Sequence, residues 1–167
     1  MLKKLIPNMQ IKSIYEIDFK HLKEQGILLI ICDLDNTLVE WRSMDIPEKL
    51  SVWIKELKHL GFKVCIVSNN NIERVGKFAQ GLDVLWFAKA GKPLTRTFHL
   101  AIKQAGVKPE QTVVIGDQIF TDILGGNCLG ARTILVTPIS KREFLGTRVM
   151  RKAEKLVIAY LRKKGKL

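Results

Sequence analysis

Two aspartates separated by one residue, Asp33 and Asp35, stand where an apolar run ends in the segment ILLIICDLDNTLVEW. In an extended chain both side chains leave on the same side. Two carboxylates held this close repel unless a positive charge lies between them, and an oxygen-rich site of that kind suits Mg²⁺. Further along, VVIGDQIFTDILGG supplies Asp117 and Asp122. Asp117 is placed to complete the metal shell, and Asp122 to hold the ligands or the loop from behind. Ser68 and Lys92 offer what phosphoryl transfer also needs, donors for the equatorial oxygens of the phosphate. The Ser68 hydroxyl and the main-chain N–H of Asn69 bind one face, and the Lys92 ammonium neutralises charge shared between nucleophile and transferred group. A carboxylate nucleophile accounts for why the first aspartate must sit on the metal, and a second carboxylate nearby can protonate the leaving alkoxide and then activate water, the parts of a phosphomonoester hydrolase that passes through an aspartyl-phosphate on Asp33.

An isolated Asp-x-Asp pair is more often a solvated turn, so the reading rests on the order and spacing of all these residues together. Asn36, Thr37 and Asn69 adjoin the reacting groups and are read as substrate-binding. Trp41 and Arg42 either stack on and pair with the substrate beyond its phosphate or pack the loop against the core; both readings stand. Lys89 and Arg96 flank Lys92 and read as solvated loop charges. His21, His59 and His99 fall in helical stretches with no ligand spacing.

The elements that must position these groups are strands alternating with helices. Apolar, β-branched runs predict strands over Ile27–Asp33, Phe62–Ser68, Val84–Phe87, Thr112–Gly116 and Thr133–Val136. Helical periodicity fills the gaps, with Pro47 and Pro93 marking starts and Gly61, Gly81, Gly106 and Gly130 marking ends. The alternation implies an α/β fold, a Rossmann-like, mostly parallel sheet flanked by helices on both faces. Such sheets bind ligands beyond the carboxyl ends of their strands, where Asp33, Ser68 and Asp117 all fall.

The chain has 167 residues with 47% hydrophobic and 26% charged, which suits one globular domain over 1–167 rather than a disordered segment. The longest strictly apolar run, Ile27–Cys32, is too short to cross a bilayer, and Pro7 interrupts the start before a signal core can form. A cytoplasmic protein is expected, one able to lie on the inner membrane face. Cys32, Cys65 and Cys128 show no CxxC spacing and read as buried free thiols. Of the net charge of +12, much sits at the end: from Ile139 onward there are ten basic and two acidic residues. Within a helix expected at about 141–165, Leu145, Val149, Leu156 and Tyr160 recur at near-helical intervals among Arg148, Arg151, Lys152 and Lys155. That basic amphipathic helix either lies on an anionic phospholipid surface or packs its apolar stripe on the domain with its charges in water. Nucleic acid is disfavoured as a partner, because the tail lacks interleaved aromatics; a protein partner is left open.

In order, DLDNTL, VSN, KP and GDxxxxD resemble the four motifs of the haloacid dehalogenase superfamily. The resemblance implies Asp33 as nucleophile and magnesium ligand, Asp35 as general acid/base whose main-chain carbonyl also binds the metal, Asp117 as the third protein ligand, and Ser68 and Lys92 on the phosphate. Asp35 to Ser68 holds one helix and one strand, and Ser68 to Lys92 one helix and a short strand, so no cap domain fits and the fold is expected to be capless. SIYEIDFKHLKEQGI, DLDNTLVEW, SNNN, GKPLTR and GDQIFTDILGGN are together similar to the YqeG-type family IIIA phosphatases, which are related to phosphatidylglycerophosphate phosphatases. Hydrolysis of phosphatidylglycerophosphate in phosphatidylglycerol synthesis is the activity that this resemblance implies. The competing readings are a phosphatase of a soluble metabolite or phosphoprotein, and a regulatory module that recognises phosphate without turnover.

Overall fold

The computed structural model describes residues 2–141 and the backbone of 145–165, with side chains from Met150 onward in that last stretch. Six parallel strands, β1 (Met9–Ile11), β2 (Leu29–Cys32), β3 (Lys63–Val67), β4 (Leu85–Phe87), β5 (Thr112–Gly116) and β6 (Arg132–Val136), lie in the order β1-β6-β5-β2-β3-β4. The helices are α1 (Phe19–Glu24), α2 (Glu48–His59), α3 (Ile72–Leu82), α4 (Arg96–Ala105), α5 (Leu124–Leu129) and α6 (Leu145–Lys163). Five strands fall within one or two residues of the apolar runs that predict them. The sixth, β1, is three residues long and pairs Met9 with Ile134 at the sheet edge, too short and too exposed to carry a periodic signal.

Both faces of the sheet are covered, which is why its strands read as unbroken apolar runs. Successive residues of β2 serve opposite layers. Ile30 and Cys32 pack with Phe19, Trp53, Leu57 and Phe78 from α1, α2 and α3. Leu29 and Ile31 pack with Phe98 and Ala101 of α4 and Leu129 of α5. The order in which strands are added switches sides at β2, since β3 lies on one side of it and β5 on the other. Cys32 is level with Ile66 and Ile115 in this register, so Asp33, Ser68 and Asp117 emerge together from the carboxyl ends of three adjacent strands. Between Asp35 and Ser68 only α2 and β3 intervene, and between Ser68 and Lys92 only α3 and β4; the described residues contain no cap.

Three expectations are corrected. Gly81 does not end α3, which continues to Leu82 and stops at Asp83, a left-handed residue with φ 51°. A Cβ at Gly81 would lie 2.4 Å from Ile46 Cδ1, so the position is needed for close packing. Cys32 and Cys65 are buried, but Cys128 is exposed on the outer side of α5. The apolar stripe expected on α6 is not the one that docks: Leu156 and Tyr160 are 74% and 46% exposed, whereas Glu154 and Leu161 are 2% and 1% exposed. Val157 and Ile158 join Leu5, Ile119, Ile123 and Leu135 in a third apolar cluster. The side chains of Leu145, Arg148 and Val149 lie outside the described residues.

These two faces of α6 make opposite predictions. Leu161→Ala should lower the unfolding free energy by about 2 kcal/mol or more, as a buried truncation does. Leu156→Ala should stay within about 0.5 kcal/mol of the parent, as exposed changes do. Urea unfolding followed by circular dichroism measures both, and equal effects would refute the docked orientation.

Candidate active site

The carboxyl end of β2 delivers Asp33 beside a buried lysine. Lys92 Nζ lies 2.6 Å from Asp33 Oδ1 and 2.6 Å from Asp122 Oδ1, and all three side chains are almost wholly out of solvent. Burial works to lower the Lys92 pKa, but the carboxylates of Asp122 and Asp33 together outweigh it and leave it raised, so the ammonium stays charged. Asp33 Oδ2 has no protein donor among the described residues, so one oxygen of this carboxylate is held and the other is not. Gly116 makes the arrangement fit, because a Cβ there would come within 2.2 Å of the Asp122 carboxyl carbon. Asp122 Oδ2 in turn accepts from the Gln118 amide at 3.2 Å.

The loop after β3 reads Ser-Asn-Asn-Asn, and each residue does separate work. Ser68, 2% exposed, places its hydroxyl at the rim of the cavity that Asp33 lines. Asn69 exchanges two hydrogen bonds with the Lys92 backbone, accepting from its amide at 2.8 Å and donating to its carbonyl at 3.2 Å. Asn70 donates to Asp35 Oδ2 at 2.8 Å. Asn71 caps α3 by accepting from the Arg74 amide at 2.9 Å. That cap starts the helix whose first turn aims Arg74 at Asp35. Arg74 Nε and Nη2 both donate to Asp35 Oδ1, at 3.0 and 2.7 Å. The Asp35 carboxylate is thus clamped on both oxygens, Oδ1 from α3 and Oδ2 from the loop before it.

Asp117, at the end of β5, meets the C-terminal helix. Arg151 of α6 donates to both the carbonyl and Oδ2 of Asp117, and also to Glu154 Oε2 at 3.0 Å. Glu154 also accepts from the Phe120 amide at 3.2 Å, which pins α6 to the loop following Asp117. Thr37 donates to Asp117 Oδ1 at 3.2 Å. Carboxylate oxygens of Asp33, Asp117 and Asp122 lie within 4.8 Å of one another, all buried. Burial is the main cause that pushes the pKa of Asp33 and of Asp117 upward, against the opposing pull of Lys92 and of Arg151 respectively. Among the described residues, the buried carboxylates Asp33, Asp117, Asp122 and Glu154 outnumber the cations Lys92 and Arg151 that contact them, an excess of acid that favours a bound cation in a low-dielectric site. An all-oxygen donor set suits a hard ion such as Mg²⁺. The residues present therefore fit the metal that their spacing suggests.

A cavity of about 730 Å³ opens over Asp33, and the residues singled out in the sequence distribute around it unequally. Asp33, Asp35, Asn36, Trp41, Arg42, Ser68, Asn69 and Lys92 line it. Thr37 does not; it faces Asp117 instead. Asn36, with φ 62°, turns the chain after Asp35 and accepts from the Trp41 amide at 3.3 Å. The histidines, Lys89 and Arg96 lie on the surface away from it. Arg151, expected among the solvated or lipid-facing charges of the tail, is half-buried on Asp117. Arg74 and Glu154 carried no signal in the sequence beyond their type. A lone acid three residues after Arg151 in an otherwise basic helix was the one available hint.

The chain matches the haloacid dehalogenase-like hydrolase family over residues 30–90 and the HAD-hydrolase-like family over residues 89–162. It is 43% identical over 166 residues to a protein of Bacillus subtilis (strain 168) described as probable phosphatase YqeG, covering 99% of this chain and 96% of that one. It is 29% identical over 176 residues to phosphatidylglycerophosphate phosphatase 1, chloroplastic/mitochondrial, of Arabidopsis thaliana, and spans 49% of that protein. Among solved structures, the cobalt-bound deoxy-D-mannose-octulosonate 8-phosphate phosphatase of Haemophilus influenzae superposes with TM-score 0.57 at 21% identity, over 68% of this chain and 70% of that one. The shared fold, the motif order and the near full-length identity to a YqeG phosphatase agree: this chain belongs to the haloacid dehalogenase-like hydrolases, in their YqeG-type phosphatase branch.

Proposed function

We propose that this phosphatase hydrolyses the terminal phosphomonoester of phosphatidylglycerophosphate through an aspartyl-phosphate on Asp33. One observation carries the chemistry: Asp33, which lines the cavity, has Oδ1 held by Lys92 at 2.6 Å while Oδ2, on the same carboxylate, has no protein donor among the described residues. A nucleophile needs that asymmetry, with one oxygen oriented and the other available. Oδ2 attacks phosphorus, the bond to the substrate oxygen breaks, and Asp35 gives its proton to the departing alkoxide. Asp35 then takes a proton from water, which attacks the phosphorus of the acyl phosphate and releases inorganic phosphate and free Asp33. Ser68 and the Asn69 amide hold the phosphate oxygens, and Lys92 offsets the charge that builds up between the two groups. Asp33, Asp117 and the Asp35 main-chain carbonyl, with Asp122 behind them, would hold Mg²⁺, which would supply further neutralisation of the phosphate oxygens.

Two observations support a lipid substrate. The Arabidopsis relative carries that activity in its name. The outward side of α6 presents Lys152, Lys155 and Lys163 together with exposed Leu156 and Tyr160, a pairing of cations and apolar groups that suits an anionic bilayer surface. No described helix is long and apolar enough to cross a membrane.

Asp33→Asn should reduce turnover of p-nitrophenyl phosphate by about a thousandfold or more, the scale on which loss of a covalent nucleophile registers. The parent should lose its activity in excess EDTA and recover it with Mg²⁺; magnesium-independent turnover would overturn the metal assignment. Phosphate release from phosphatidylglycerophosphate in mixed vesicles tests the substrate, and a protein that hydrolyses p-nitrophenyl phosphate but ignores this lipid would remove the lipid from the proposal. Arg151→Ala leaves the buried Asp117 carboxylate without its cation. Its rise in melting temperature on adding Mg²⁺ should therefore exceed that of the parent, and an unchanged rise would show that Arg151 and the metal do not share Asp117.

A further inference from the structure

The direction in which the released alcohol leaves Asp33 is set by Asp35, because the proton donor must touch the departing oxygen. Asp35 is gripped from one side only, by Asn70 and Arg74 of the β3–α3 junction. Arg74 also donates to the Ser43 carbonyl at 2.5 Å, which ties the loop after Asn36 to the start of α3. The loop residues Trp41, Arg42 and Met44 and the α3 residues Glu73, Arg74 and Lys77 line the same cavity as Asp35, and these two stretches are its walls beyond the reacting groups.

Three cations stand on these walls, and they are not equivalent. Arg74 is buried and engaged with Asp35. Arg42 and Lys77 are exposed, line the cavity, and have no carboxylate within ion-pair distance among the described residues, although Glu73 sits one turn before Lys77 on the same helix. Arg42 is also held in place. Its φ of 66° is left-handed, a conformation that glycine adopts at less cost, and it follows from the turn closed by the Ser43 amide donating to the Glu40 carbonyl at 3.0 Å. Its guanidinium lies 4.3 Å from the centroid of the Trp41 ring, which limits its rotation while leaving its donors available. A strained, ring-stacked arginine at a cavity wall is a pattern associated with ligand contact.

We propose that Arg42 and Lys77 form a second anion subsite that recognises a phosphate carried on the leaving alcohol. The preferred substrate class is then a phosphomonoester whose alcohol bears another phosphate, either the diester of a lipid headgroup or the monoester of a soluble bisphosphate. The Arg42 fork pairs with two oxygens of a tetrahedral oxyanion, and Lys77 meets a third as a point charge. Glu73 limits the field, so the subsite discriminates by charge without trapping the product. The proposal rests on the reading of Asp33 and Asp35 as the hydrolytic pair.

The test compares kcat/KM with Mg²⁺ for four substrates: p-nitrophenyl phosphate, glycerol 3-phosphate, glycerol 1,3-bisphosphate, and phosphatidylglycerophosphate in mixed micelles. The parent should favour a substrate with the second phosphate over glycerol 3-phosphate by about tenfold, the combined scale of two partly screened charge contacts. That ratio should fall toward one in the Arg42→Ala, Lys77→Ala double variant, mostly through KM, and should weaken with added salt. Arg42→Lys should lose part of it, because lysine has neither the fork nor the same stack on Trp41, and Glu73→Gln should raise it. A preference seen with the soluble bisphosphate identifies charge alone as the signal; a preference confined to the micelles identifies the lipid headgroup. Turnover of p-nitrophenyl phosphate with no preference for either doubly phosphorylated substrate would overturn the subsite and leave the hydrolytic reading intact. A preference that survives the double variant would also overturn it. Absence of turnover on all four would instead bring down the hydrolytic reading and the subsite with it.

Discussion

The buried ammonium of Lys92 is the interaction on which the site depends. Asp33 and Asp122 come from strands and turns nearly ninety residues apart, and both point into a region that water barely reaches. Without a cation between them they would repel, and each would pay the cost of burial alone. Lys92 resolves both problems with one group, and it is held by its backbone rather than by its flexible stem. The reciprocal amide pair with Asn69 anchors the residue to the loop after β3, so the ammonium is positioned by the same segment that presents Ser68.

The same logic recurs at the other two carboxylates. Asp35 is matched by Arg74 from α3, and Asp117 by Arg151 from α6. Each acid at the rim of the sheet therefore has a basic partner from a different structural element. The consequence is mechanical as well as electrostatic, because the orientation of each reacting group becomes linked to the docking of a helix. Arginine suits the two outer pairs, since its planar fork can serve a carboxylate and a carbonyl at once, as Arg74 does for Asp35 and Ser43 and Arg151 does for the carboxylate and carbonyl of Asp117.

The C-terminal helix consequently has two roles separated by side. Its inner side contributes Arg151, Glu154, Val157, Ile158 and Leu161 to the domain, and its outer side keeps lysines with Leu156 and Tyr160 in contact with solvent. Of the two readings of the tail, the packing one holds for the inner face, and the outer face is exposed. Placing Arg151 on Asp117 also brings the helix to the carboxylate cluster at the rim of the sheet.

Sequence alone determined the strand and helix alternation, the gathering of Asp33, Ser68 and Asp117 at one sheet edge, the family, and the lack of room for a cap. These follow from local regularities: apolar runs of strand length, glycine and proline at element ends, and motif residues at strand termini. Only the tertiary structure decided which cations answer which carboxylates. Arg74 and Arg151 lie 39 and 34 residues from the aspartates they meet, and nothing in their immediate surroundings distinguishes them from the many other basic residues of a chain with 28 of them. The docking face of α6 was hidden for a related reason. Glu154 is buried by an ion pair and a backbone amide, and a polar residue on the inner face breaks the apolar stripe that periodicity relies on, so the exposed Leu156 and Tyr160 gave the stronger pattern. Pairing between distant charges is a property of the assembled fold, because it depends on which surfaces come into contact once the core has formed.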